Sequence, residues 1–221
     1  MPNSRLRRTL PGNPAVWWRM GAFAALAVLG ISAQASAQWW RLGHKPDPWV
    51  LMLDGGGSYS VSDLEIVPGI DQNGGWLWDA GLRLEHGRGA IGIGYEGSRF
   101  DVGFDGTSTT SGLYVNPRFY WTHNRRAVRP YVFANVTWIF DYDVSSFCCS
   151  VYTASSNATG WSVGGGFGIA TAPVGNVRFD LSARVDRMSG ESDPSDQGSW
   201  KGTGPVVGVR LGASVPLFGG R

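Results

Sequence analysis

Trp76-Leu77-Trp78-Asp79-Ala80-Gly81-Leu82-Arg83-Leu84-Glu85 is the stretch that decides the fold. Its even positions, Trp76, Trp78, Ala80, Leu82 and Leu84, are apolar, while the odd ones include Asp79, Gly81, Arg83 and Glu85. Only an extended chain puts alternate residues on opposite faces, so this is a strand with one apolar face and one charged face.

The alternation recurs seven times. Leu51 and Leu53 alternate with Met52 and Asp54; Ile91, Ile93 and Tyr95 with Gly92, Gly94 and Glu96; Leu113, Val115 and Phe119 with Tyr114, Asn116 and Arg118. Val132, Ala134, Val136, Trp138 and Phe140 alternate with Phe133, Asn135 and Thr137, and Trp161, Val163, Phe167 and Ile169 with Ser162, Gly164, Gly166 and Gly168. Val177, Phe179, Leu181 and Val185 stand against Arg178, Asp180, Arg184 and Asp186, and Val207, Val209, Leu211 and Val215 against Gly208, Arg210 and Ser214. Eight strands is an even count, as single-chain bacterial membrane barrels have.

The connections alternate in length. Long segments near residues 60–75, 98–110, 143–158 and 188–203 are separated by tight links at His86–Gly89, Thr122–Arg129 and Ala172–Asn176. A transmembrane barrel has this arrangement, with long outer loops and short periplasmic turns. Trp76, Trp78, Trp138, Phe140, Trp161 and Trp200 then fall at outer strand ends, and Trp49, Trp121, Tyr131 and Phe218 at inner ends, forming two interfacial girdles. The expectation is an all-β fold, an eight-stranded antiparallel up-and-down transmembrane β-barrel over residues 49–218. A soluble β-sandwich or lipocalin-like barrel would alternate equally well, with its apolar face turned inward.

The N-terminus indicates export. Arg5, Arg7, Arg8 and Arg19 precede an apolar run from Gly21 to Ile31 that ends at Ala35-Ser36-Ala37. The run is too short to span a bilayer as a helix, which takes roughly 20 residues, and its small-residue ending suits signal peptidase. Residues 1–37 read as a cleaved signal peptide, 38–48 as a periplasmic segment and 219–221 as a tail. An exported transmembrane barrel belongs in the outer membrane of a Gram-negative cell. The 33 glycines and 11 tryptophans among 221 residues fit such a wall, and a net charge of +2 gives no sign of a nucleic-acid partner.

In this register the lumen holds Asp54, Asp79, Glu85, Glu96, Asp180 and Asp186 with Arg83, Arg118, Arg178, Arg184 and Arg210. An eight-stranded barrel is only wide enough for side chains to fill it, and buried charges must pair, so the expectation is an ion-pair network in place of a pore. A narrow solute channel is the alternative. The outer segments are acidic, with Asp63, Glu65, Asp71, Asp101, Asp105, Asp141, Asp143, Glu191, Asp193 and Asp196 against Arg99 and Lys201. They read as a solvated rim, or as a surface that divalent cations bridge to lipopolysaccharide phosphates. Arg88, Arg125, Arg126 and Arg129 in the inner turns face anionic phospholipid headgroups.

Cys148 and Cys149 are adjacent in the third long segment, where a strained vicinal disulfide, an intermolecular bridge and free thiols compete. His44, His86 and His123 all map to the periplasmic side, so no metal site is expected with the cysteines, and no motif calls for a cofactor.

With its leader, its eight alternating strands and Gly-x-Gly runs such as Gly92-Ile93-Gly94 and Gly164-Gly165-Gly166, the chain resembles the outer-membrane β-barrel domain family. The likeness is to the small OmpA/OmpX-like and opacity-type surface proteins and covers roughly residues 48–218. It implies outer-membrane lipids and lipopolysaccharide as surroundings, the barrel-assembly machinery as a partner, and an extracellular ligand held by the loops. Relatives usually end on an aromatic residue, whereas here Gly219-Gly220-Arg221 follow Phe218. Some eight-stranded barrels modify lipid A, and the deacylase pattern places Ser two residues after His. None of the three histidines has it, so the expected function is a structural or surface-interaction barrel, not an enzyme.

Overall fold

The computed structural model describes residues 47–67, 70–102, 106–122, 127–145, 153–156, 159–171, 174, 176–191 and 201–218. Its strands are β1 (Val50–Val67), β2 (Ile70–His86), β3 (Gly89–Val102), β4 (Gly106–Tyr120), β5 (Val128–Ser145), β6 (Thr153–Ser156), β7 (Thr159–Thr171), β8 (Arg178–Glu191) and β9 (Lys201–Phe218). Every pairing is antiparallel between neighbours, and β9 returns to β1, so eight long strands form a closed wall. The ninth, β6, only extends the outer end of β5 by pairing Asp143–Ser145 with Thr153–Ser155.

The ladder fixes the width of the barrel. A path straight across the strands from Val50 runs through Glu85, Ala90, Arg118, Phe133, Gly166, Arg184 and Gly208, and returns to β1 at Ser60, ten residues up. Eight strands with that stagger tilt by about 40° and enclose a backbone cylinder of about 8 Å radius. Such a cylinder is filled by its own side chains. At that tilt each residue climbs roughly 2.5 Å, so the 18-residue β1, β5 and β9 stand about 45 Å tall, well beyond the ~25 Å apolar band of an outer-membrane barrel.

The apolar face of every long strand points outward. Trp76 is 64% exposed and Leu211 65%, and Leu53, Ile93, Leu113, Val132, Phe167 and Val185 are exposed with them. The alternate positions are buried, Arg83 at 2% and Asp186 at 1%. A soluble barrel would have the reverse order. An apolar surface running round the whole molecule is far larger than a soluble monomer exposes, and lipid is its natural solvent.

Two expectations about the connections change. The segments 60–75 and 98–110 are mostly strand: β1 and β2 continue to Val67 and Ile70, and β3 and β4 to Val102 and Gly106. Their Ser, Gly and Asp content reads as loop, but most of the described residues there find a ladder partner on the neighbouring strand, and cross-strand bonding overrides local preference. The outer half of the molecule is therefore largely a continuation of the wall. The inner links stay short, and Gly87 between β2 and β3 has φ 58°, a left-handed turn position that glycine takes without strain.

Candidate functional site

The inward positions bring together all eleven charged residues expected in the lumen. In the inner half Glu85 receives three arginines: Arg83 Nε at 3.0 Å, Arg129 Nη1 at 3.0 Å and Arg178 Nη1 at 2.9 Å. The Tyr120 hydroxyl donates to it as well, at 3.0 Å. Asp54 accepts from Arg83 Nη1 at 2.6 Å and Arg118 Nη2 at 3.1 Å. Arg210 grips Asp79 through Nε and Nη2, both at 2.7 Å, and gives Nη1 to Asp180 at 2.6 Å. Higher up, Arg184 holds Glu96 through Nη1 at 2.6 Å and Asp186 through Nε at 2.5 Å.

Arg129 was expected at the headgroups and lies instead in this network, 1% exposed, with its guanidinium 3.8 Å over the Tyr120 ring. Tyr131, expected in the inner girdle, is also inside, and its hydroxyl donates to Asp180 at 3.1 Å. Both corrections have one cause. Val128, Pro130 and Val132 face lipid, so the same alternation carried back from Asn135 turns Phe133, Tyr131 and Arg129 inward. With Arg129 included, the described lumen holds six arginines and six carboxylates.

Sequence reasoning missed the layer above the charges. Leu77, Phe100, Val102, Ile139, Tyr142, Met188 and Val206 point inward from the outer halves of the strands and pack as one buried apolar cluster. A bulge in β5 helps to build it. Ser111 pairs with Asp141 and Gly112 with Ile139, so Phe140 is the extra residue, Asp141 and Asp143 stay outside, and Tyr142 turns in. Only a parity break that no local sequence signal announces places it there.

The lumen glycines serve the same filling. A side chain at Gly168 would collide with the Tyr131 ring, at Gly56 with the Arg210 guanidinium, and at Gly81 or Gly94 with the Tyr114 hydroxyl. The glycines are small so that neighbouring arginines and tyrosines can lie across them.

On the outside, Trp78 contacts Tyr95 at 5.3 Å between ring centres, Tyr95 contacts Phe140 at 6.2 Å, and Trp138 contacts Phe140 at 6.1 Å and Trp161 at 6.3 Å. Trp49, Trp121 and Phe218 are exposed at the inner ends. His86 stacks on Trp49 at 4.4 Å, and no group of three metal-ligating side chains occurs among the described residues. Cys148, Cys149, Trp200, His44, His123, Arg125, Arg126, Asp105, Asp193 and Asp196 lie outside the described residues, as do residues 1–46.

A closed eight-stranded wall, apolar toward lipid and packed with paired charges inside, defines a transmembrane β-barrel. Residues 22–214 match the outer membrane protein beta-barrel domain, and the chain belongs to that family. The protein resides in the Gram-negative outer membrane. Among solved structures it is similar to Neisserial surface protein A (NspA), at 11% identity and TM-score 0.55, covering 78% of this chain and 99% of that one. Weaker matches are OprG from Pseudomonas aeruginosa (14% identity, 78% and 97% covered, TM-score 0.42) and Ail from Yersinia pestis (15%, 77% and 99%, TM-score 0.41). No curated protein matches the sequence.

Proposed function

We propose that this protein is a closed structural and surface-interaction barrel: a filled, non-conducting wall that carries its outer strand ends and connections above the membrane. The observation that carries the reading is the two-tier filling of the lumen, six arginines paired with six carboxylates beneath a buried apolar layer. A solute path would need a continuous polar route, whereas here every described lumen arginine and carboxylate is tied into an ion pair and the apolar tier interrupts the route. The buried charges act as a plug that fixes the cross-section of the wall. No catalytic role is assigned, since His86 is engaged with an aromatic at the inner rim, away from the outer leaflet.

Above the lipid band the outward positions turn polar, with Arg99, Asp101, Asp141, Asp143 and Arg187 exposed, and this rim is where an extracellular ligand or lipopolysaccharide would be met. Residues 1–37 serve as the export signal and the assembly machinery as the insertion partner in this reading. Purified protein in planar lipid bilayers tests it. Absence of discrete conductance steps is expected, and steady single-channel openings would replace the plug with a channel.

A further inference from the structure

The charges in the lumen are balanced in total and unbalanced locally. The inner group, linked by bridges of Arg83, Arg118, Arg129, Arg178 and Arg210 to Asp54, Asp79, Glu85 and Asp180, has five arginines against four carboxylates. The outer group has Arg184 against Glu96 and Asp186. Among the described residues, the inner bridged group thus carries one unit of positive charge more than its own carboxylates cancel.

A cavity of about 30 Å³ lies between the two groups, lined by Arg118, Arg184, Arg210, Tyr114, Asn135 and Ser182 among others. Two carboxylates also line it, and both are occupied: Arg210 takes both oxygens of Asp79, and Glu96 receives Arg184 on each oxygen and the Thr137 hydroxyl on one. Arg118 is different. Its Nε is held by Asn116 and its Nη2 by Asp54, while Nη1 is buried with no hydrogen-bond partner in the protein. A guanidinium nitrogen in that position is costly unless something accepts from it.

We infer that the cavity beside Arg118 is a binding site for one small monovalent anion of the halide class, taking the Arg118 Nη1 hydrogen and neutralising the surplus positive charge of the inner group. The volume suits the assignment. A single water needs about 10–15 Å³ of such space, so 30 Å³ admits one halide and excludes an organic anion such as gluconate. Water would accept the hydrogen and leave the charge; a halide accepts the hydrogen and cancels the charge. The inference rests on the lumen geometry alone and holds whatever the outer rim binds.

The test uses the protein purified from outer membranes into detergent and crystallised from bromide. An anomalous bromide peak beside Arg118 Nη1 is expected, together with a heat-unfolding midpoint that rises with chloride or bromide but not with gluconate. A hundredfold excess over Kd should raise that midpoint by about 5 °C. Asn135→Asp, nearly the same size, puts a negative charge into the cavity wall and should abolish the halide dependence. Crystals grown in bromide without that peak, or equal midpoints in chloride and gluconate, would overturn the assignment, and a halide dependence unchanged in Asn135→Asp would place the anion elsewhere.

Discussion

Glu85 is a hub of the interior, because three guanidiniums and a phenol converge on one carboxylate. Breaking a buried pair by removing one partner costs about 3–5 kcal/mol, since the surviving charge remains buried and uncompensated. Glu85→Gln should therefore lower the unfolding free energy, read from urea titration in detergent, by about that much; a value within experimental scatter of the parent would show the cluster to be incidental. Arg129 offers a sharper comparison with Arg88, which is exposed in the β2–β3 turn. Arg129→Met should destabilise by several kcal/mol and Arg88→Met by less than about 0.5 kcal/mol. Equal effects would return Arg129 to the surface. Alternation alone puts the eleven charges on one face, because a period of two has only two outcomes. Arg129 and Tyr131 were misplaced by their nearness to a link, although their parity with Asn135 already pointed inward.

At the scale of the element, β4 shows how a strand tolerates a proline. Pro117 has no N–H to donate, and the β4–β5 ladder skips from Val115–Val136 to Arg118–Phe133 around it. Opposite the gap, the Ala134 carbonyl accepts from Asn116 Nδ2 at 2.8 Å. The side chain replaces the missing backbone bond, and its own oxygen takes Arg118 Nε at 2.6 Å. Asn116→Ala should leave both Ala134 O and Arg118 Nε unpaired and cost about 2–4 kcal/mol, with faster amide exchange along β4 and β5. Unchanged exchange there would mean that the ladder closes without the side chain. The sequence reading recovered the eight long strands and their faces because each strand repeats its own pattern. It missed the outer extents of β1 to β4, where Ser and Gly look like loop and only the partner strand reveals the ladder. The Phe140 bulge was hidden for the same reason: the register of two strands defines it, and no residue type does.

For the whole molecule, the lumen is closed twice, by charge in the inner half and by an apolar tier in the outer half. Either tier alone should suffice, since ions avoid an apolar constriction and a packed ion-pair layer leaves no free path. Bilayer recordings of Phe100→Ala/Met188→Ala and of Arg118→Ala should both remain silent, whereas the triple variant should conduct. Openings from either partial variant would show that one tier carries the closure by itself.

The seam has a further consequence, in time. β1 and β9 are the first and last long strands to be synthesised, yet they lie side by side from Leu51–Phe218 to Ser62–Val206. Asp54 on β1 meets its nearest guanidiniums from β2 and β4, and Arg210 on β9 must reach back to Asp79 on β2. A chain cut short before β9 therefore has an open edge and an unanswered acid in its interior. The barrel has no useful halfway form, and the strand that closes the wall certifies that the others are present and in order.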